Sequence, residues 1–401
     1  MAKEKLGIVS SYNELCGNAS YTKALAQGLS KYFDVTVVSL NVELLRKGDS
    51  RSARLYIKKI CEELRQFDCV NIQFEAGLFG LKPRTIQKRF FAIAKACKRF
   101  VLTMHRFHAK VKYPSLPLLA KTFLKGNIKK LILAFQYPYA NNRHLPMYYR
   151  IIRFCRRRNA PILVHTQRDR DLIKIKFNYD RIFDHPLCFY DQEYIESIRK
   201  TFARKDFCQN LSLREDKAYV GMFGFINRCK GHETMIRALE FLPENYELLI
   251  FGSQHPHTIK LEEPIDDYIE RLVKLTTDLK LTHRVKFFGS LNDDEFLKAL
   301  VACDFNVLPY LEVNQGGSAI AALSLETGSN TIFSLNCAFH ELSKYAPNSF
   351  KMMTIGNHLE LANAILTYRK SDFSSHLSEY HKKYNIHTST ALYQRLLTET
   401  L

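Results

Sequence analysis

Short apolar runs alternate with amphipathic stretches along most of the chain. In the first half, the runs over 6–10, 34–39, 69–74, 100–104 and 161–165 are dense in Val, Ile, Leu and Phe. The run 34–39 is β-branched and continuous, as strands buried on both faces of a parallel sheet are. Between them, residues 20–32 place Leu25, Ala26 and Leu29 on one helical face, and 51–65 carry a second helical pattern. The rhythm fades over 184–217 and restarts at Ala218. Strands are then predicted over 218–223, 248–251, 285–288, 305–308 and 331–334, and helices over 232–241, 266–279, 293–301, 319–326 and 358–368. Such alternation predicts an α/β chain with two tandem doubly wound parallel sheets and a cleft between the domains. The expected boundaries are 1–190 for the first domain, 191–217 for a connection and 218–372 for the second. A helical tail over 373–401 is long enough to cross back to the first domain.

Composition narrows the class. A chain of 401 residues, 46% apolar, has room for roughly two or three domains with full cores. Its ten cysteines include no CxxC pair and no Cys/His cluster of zinc spacing, which predicts reduced thiols in a cytoplasmic protein and no metal site. The opening MAKEKLGIVS is a charged run entering a strand, not a signal peptide. No apolar run approaches the ~18 residues of a spanning helix. A cytoplasmic protein is expected, free to sit peripherally on the inner face of a membrane.

The net charge of +19 is unevenly placed: residues 77–168 contain no Asp or Glu. Such a field attracts anions, whether phosphorylated substrates, an anionic bilayer or nucleic acid. Within it, YPSLPLLAKTFLKGNIKKLILAF (113–135) mixes Leu, Ile and Phe with Lys121, Lys125, Lys129 and Lys130. A basic amphipathic segment can lie on an anionic membrane face; it can also be a helix packed on its own domain. RFCRRRN (153–159) adds four arginines, suited to phosphate or to a helix C-terminus. No nucleic-acid motif or aromatic stacking platform accompanies the charge, so no specific nucleic-acid partner is expected.

Chemistry is sought in the loops after the strands, where open α/β sheets hold their ligands. In VLPYLEVNQGGSAIAALSLETGSNTI (307–332) a strand is followed by Gln315, Gly316, Gly317 and Ser318, then a helix, then Gly328. Adjacent glycines let a ligand approach the backbone, and the amides of the helix N-terminus suit an anion such as phosphate. An ordinary turn with glycines for tight packing is the alternative. The loop GFINRCKGHETM from Gly224 supplies Arg228 and Lys230 beside a second helix N-terminus, which is what a diphosphate requires. In the first half, NELCGNASYT (13–22) offers Gly17 and Asn18 before a helix. His105 follows the run RFVLTM directly, placed to hydrogen-bond a sugar hydroxyl or a phosphate oxygen.

The second half resembles the nucleotide-sugar-binding domain of GT-B glycosyltransferases of the family 4 type. The matching features are GF…KG after a strand, IFGS at 250–253, HRVKFFGSLNDDEF from His283, and ACDFNVLPY followed by the loop and helix to Gly328. The first half is similar more loosely, through Gly17 and through His105 at the family's N-domain histidine. The resemblance implies two Rossmann-like domains in a GT-B arrangement. It implies retaining transfer of a hexosyl-type sugar from a nucleotide-diphosphate donor, without metal or other cofactor. The acceptor implied is a glycolipid, growing polysaccharide or other phosphate-bearing molecule. Arg228 and Lys230 would stabilise charge on the departing diphosphate, and His105 would touch the sugar or its phosphate. Gly17, Asn18, Gly224, Gln315, Gly316, Gly317 and Ser318 would bind the donor. The chain departs from the family where its two glutamates are expected, which are Gln315 and Leu323 here. Glu326, one turn on, is the candidate to replace the second. The family's arginine after the first glycine is Phe225. A catalytically degenerate protein acting as a partner or binding subunit is the alternative reading.

Overall fold

The structure, a computed structural model, describes residues 3–12, 17–107, 110, 112–254, 267–314 and 316–399. It divides into two compact units, one of Met1–His185 with Thr390–Leu401 and one of Pro186–Ser389.

The sheet of the first unit contains β1 (Lys5–Ser10), β2 (Asp34–Ser39), β3 (Cys69–Phe74), β4 (Phe100–Met104), β5 (Ile162–Val164) and β6 (Ile182–Asp184). Its order is β2-β1-β3-β4-β5-β6, and each pairing is parallel. Strands β3 and β4 are buried at every position, and their polar residues Asn71, Gln73 and Thr103 are buried with the apolar ones. The helix Ser50–Leu64 begins at Asp49, whose carboxylate accepts from the amides of Arg51 and Ser52. The helix Pro83–Ala96, opened by proline at its first turn, packs Ile86, Phe90 and Ile93 into the same core.

In the second unit β7 (Ala218–Phe223), β8 (Tyr246–Phe251), β9 (Val285–Phe287), β10 (Phe305–Leu308), β11 (Thr331–Ser334) and β12 (Lys351–Met353) follow one another. The order is β12-β11-β10-β7-β8-β9, again parallel throughout. Neighbours β7 and β10 run on from opposite halves of the sequence order, so the strand order reverses between them. In open α/β sheets the carboxyl ends of the strands at such a reversal are where ligands are held.

Residues 191–217, expected as a connection, fold into the helices Gln192–Thr201 and Arg204–Asn210. The Asp191 carboxylate caps the first by accepting from the Tyr194 amide, and Ile195 and Ile198 bury its apolar face. Residues 390–401 belong with the first unit: Tyr393 is fully buried there, and Arg181 pairs with Glu399 at 3.1 Å. Among the described residues no helix is long and apolar enough to cross a membrane.

Candidate active site

Strand β7 delivers the chain to Gly224, whose φ of +93° is open to glycine at little cost. The loop then makes a short turn over Arg228–Lys230 and enters the helix His232–Leu239 through Gly231, also left-handed at φ +74°. Glycine is required at 231 on a second count. A Cβ there would stand 2.0 Å from the carbonyl oxygen of Pro309, in the loop after β10. The Leu311 amide donates to the Cys229 carbonyl at 2.8 Å, and a Cβ on Gly224 would meet Ile320 of the helix Ala319–Glu326 at 2.5 Å. The two loops flanking the reversal of strand order are thus packed backbone against backbone.

Tyr310 joins their functional groups. Its ring lies under the Lys230 ammonium, 3.8 Å from nitrogen to centroid. Its hydroxyl lies 3.4 Å from Ser318 Oγ. Ser318 is the N-cap of the helix Ala319–Glu326, accepting from the Ala321 amide at 3.3 Å. One side chain therefore spans from the cation of the first loop to the amide end of the second. The first-turn amides of that helix have no intrahelical acceptors, and with Lys230 they form a positive, donor-rich edge suited to a phosphate. Gly316 and Gly317 lie on this edge; a Cβ on Gly317 would meet only Leu187 Cδ1, at 3.7 Å, so that position has space. Gln315 lies outside the described residues.

Other expected residues are placed differently. Arg228 turns to Asp267, 2.6 Å from guanidinium to carboxylate, and over the ring of Tyr268. Both partners are well exposed, so the pair is loose enough to open to a competing anion. Glu326 does not face the glycine loop. It is 2% exposed at the far end of its helix, where its carboxylate accepts from the amides of Phe189 (2.7 Å) and Tyr190 (3.3 Å). Burial pushes its pKa up to about 8, against the pull of those two amides. Its role is to tie the segment before the helix Gln192–Thr201 to the helix Ala319–Glu326, and the expectation that it replaces the family's second glutamate is corrected. Leu323 is buried apolar core, as its side chain dictates. Sequence reading missed Tyr310, although it follows a strand end by two residues.

In the first unit, Gly17 and Asn18 form the first turn of the helix Gly17–Leu29; Gly17 is exposed, and the Asn18 carbonyl accepts from Thr22 Oγ1 at 2.7 Å. The loop at 13–16 before them lies outside the described residues. His105 leaves the end of β4 and His165 the end of β5. The register Met104↔Val164 sets the two rings side by side, 4.9 Å between centroids. The Tyr21 ring stands edge-on to both.

The hydrogen-bond polarity of this array is fixed from both ends. His165 Nδ1 lies 3.0 Å from the His185 carbonyl, which only accepts, so Nδ1 carries a proton. At the other end Asn71 Nδ2 donates to the Val101 carbonyl and to Thr103 Oγ1, which turns Asn71 Oδ1 toward Gln73. Gln73 Nε2 donates to that oxygen. Gln73 Oε1 then accepts from His105 Nε2 at 2.6 Å. His105 Nδ1 and His165 Nε2 are left facing each other at 3.1 Å. With both rings neutral these two nitrogens are acceptors, and one added proton would join them. Burial opposes that proton: it holds His105 well below the ordinary histidine range and His165 down to about 4, with a neighbouring imidazole adding to each shift. Below the pair, Tyr393 Oη bonds Thr103 Oγ1 at 2.6 Å and approaches Tyr21 Oη at 3.3 Å, which closes the network with a residue from the chain terminus.

This fold has counterparts among solved structures. The Anabaena protein HepE, crystallised with UDP and glucose, matches with a TM-score of 0.64 at 15% identity over 99% of this chain and 100% of that one. A glycosyltransferase from Rickettsia africae matches at 0.63 and 12% over the whole of both chains. The trehalose-6-phosphate synthase OtsA matches at 0.68 and 10% over 99% of each. The chain has the GT-B glycosyltransferase fold. No protein-family model and no curated sequence matches it. Within the GT-B fold, the edge around Lys230, Tyr310 and Ser318 lies at the reversal of strand order in the second unit, while the paired histidines lie at strand ends of the first.

Proposed function

We propose that this GT-B protein is a glycosyltransferase that takes a sugar from a nucleotide-diphosphate donor and transfers it, with retention, to a glycan or lipid-linked acceptor. The observation that carries the reading is Tyr310 bridging Lys230 and Ser318, because it brings a cation and a helix N-terminus to one edge. The diphosphate is assigned to Lys230, to the amides beyond Ser318 and, once its pairing with Asp267 opens, to Arg228. These groups neutralise the leaving group in place of a metal ion. Gly224, Gly316 and Gly317 give the backbone close access to the donor. The acceptor is assigned to the basic first unit, with Gly17 and Asn18 as its contributions toward the donor sugar; His105 reaches that sugar only by giving up its bond to Gln73 or its place against His165. Support from relatives is that HepE was crystallised with UDP and with UDP-glucose, and that a structurally similar trehalose-phosphate synthase is described as UDP-forming.

The test is calorimetry and thermal shift at low salt against a panel of nucleoside diphosphates and their sugars, followed by a hydrolysis assay on any that bind. A bound donor raises the melting temperature by mass action. Silence across the whole panel overturns the proposal. Binding without turnover, with any acceptor offered, favours the second reading, a partner subunit on a GT-B scaffold. Leu323 in the core and Glu326 tied to main-chain amides are what motivate that reading, since no carboxylate of that helix is left to hold a ribose.

A further inference from the structure

Between β4 and β5 the first unit carries two consecutive helices, Leu116–Leu124 and Ile128–Asn142, joined by a turn at Gly126. The first buries none of its residues. In the second, Ile128, Ile132, Phe135 and Tyr139 recur at intervals of four, three and four, the spacing of one helical face. In a globular protein such a stripe is turned to the core. Here all four are exposed, Ile128 and Tyr139 by about two thirds. Phe123 and Leu124, at the end of the preceding helix, are exposed by 69% and 84%.

The charge around this apolar surface is of one sign. Lys121, Lys125, Lys129 and Lys130 flank it, and the surrounding stretch 77–168 contains no acid. A soluble protein partner would need to be both apolar and acidic. An anionic phospholipid surface meets both conditions at once, with acyl chains for the stripe and phosphates for the lysines. Neither helix can span: fifteen residues reach only about 22 Å, against about 30 Å of hydrocarbon. We infer that the Leu116–Leu124 and Ile128–Asn142 hairpin docks the protein on an anionic bilayer by seating its apolar stripe at the headgroup level. This inference is carried by the hairpin alone and does not rest on the donor site.

The test is flotation of the full chain with vesicles of phosphatidylcholine, alone or mixed with phosphatidylglycerol. Binding is expected to the mixed vesicles, weakened by salt and reduced about fivefold for each lysine among the four changed to Gln. The triple change Phe123→Ser, Leu124→Ser, Ile128→Ser is expected to abolish it. Circular dichroism and nucleotide binding of the same preparations establish that the variants fold and that donor recognition is separate. Absence of flotation by the wild-type chain overturns the inference. So does equal flotation of the triple variant, or a dimer in light scattering that the triple change dissociates, which would assign the stripe to a second copy.

Discussion

His105 Nδ1 and His165 Nε2 meet at 3.1 Å while Gln73 Oε1 and the His185 carbonyl hold the outer nitrogen of each ring. The pair has places for three protons and, when neutral, holds two. Tyr21, edge-on, and His185, at the far end, are the titratable groups facing it. The first proton to enter is therefore shared, and the pair titrates as one group. Long-range nitrogen-15 spectra of the imidazoles should show protons on His105 Nε2 and His165 Nδ1 at neutral pH. Two independent titrations, or protons on the inner nitrogens, would refute the assignment.

The same pair shapes stability in acid. His165 is held at about 4 when folded and returns to about 6.5 when unfolded, so over that window the unfolded chain binds the extra proton. Stability is expected to fall as pH drops from about 6.5 toward about 4. Urea melts across this range should show the slope in the wild type and a shallower one in His165→Gln.

Lys230 is the clearest probe of the donor edge. It sits on a Tyr310 ring that itself stays packed in the core, so Lys230→Ala should fold normally. Loss of a charged contact to diphosphate should weaken binding about 10- to 150-fold. Calorimetry with the best nucleoside diphosphate measures it. A milder loss is expected from Tyr310→Phe, which keeps the ring under Lys230 but removes the hydroxyl facing Ser318. An unchanged affinity in Lys230→Ala would remove this edge from the donor site.

Close backbone approach makes two glycines irreplaceable. Alanine at 231 would press its Cβ to 2.0 Å from the Pro309 carbonyl oxygen, and at 252 to 1.9 Å from that of Gly224. Each substitution should cost about 2–4 kcal/mol, read as a lowered denaturation midpoint. Gly77→Ala, in the helix Ala76–Phe79 with nothing within 4 Å of its Cβ, should be neutral or slightly stabilising.

Glu326 predicts the opposite pH slope to His165. Its folded pKa is raised to about 8, above the ordinary carboxylate value, so the folded chain holds the proton more tightly. Its contribution to stability is full below about 4.5 and is lost as pH rises to about 8. Glu326→Gln should flatten the loss between about pH 4.5 and about 8 in chemical denaturation. A slope unchanged by the substitution would mean that Glu326 is ionised when folded.

The sheets were readable because short apolar-rich runs alternate with helical patterns, and ten of the twelve strands stand out in this way, from β1 at Lys5–Ser10 to β11 at Thr331–Ser334. The two that escape, Ile182–Asp184 and Lys351–Met353, are three-residue edge strands, whereas the equally short Val285–Phe287 is read through the longer run VKFF. The helices Gln192–Thr201 and Arg204–Asn210 escape because their apolar residues are few and spaced by charge.

The candidate site divides along the same line. Local sequence is sufficient for a glycine-rich turn, a helix N-cap at Ser318 and a cation at Lys230, since each depends on neighbours a few residues away. It also places His105, and would place His165, at a strand end. What sequence alone leaves open is which loop meets which. The order β10-β7 joins Lys230 to Tyr310 and Ser318, and the register of β4 on β5 sets two histidines sixty residues apart into one hydrogen-bonded chain. It likewise takes the packing of the helix Ala319–Glu326 on the segment at Phe189 to commit Glu326 to main-chain amides. Periodicity is written in consecutive residues, whereas sheet order and side-chain partnership are set by the burial of whole faces against one another.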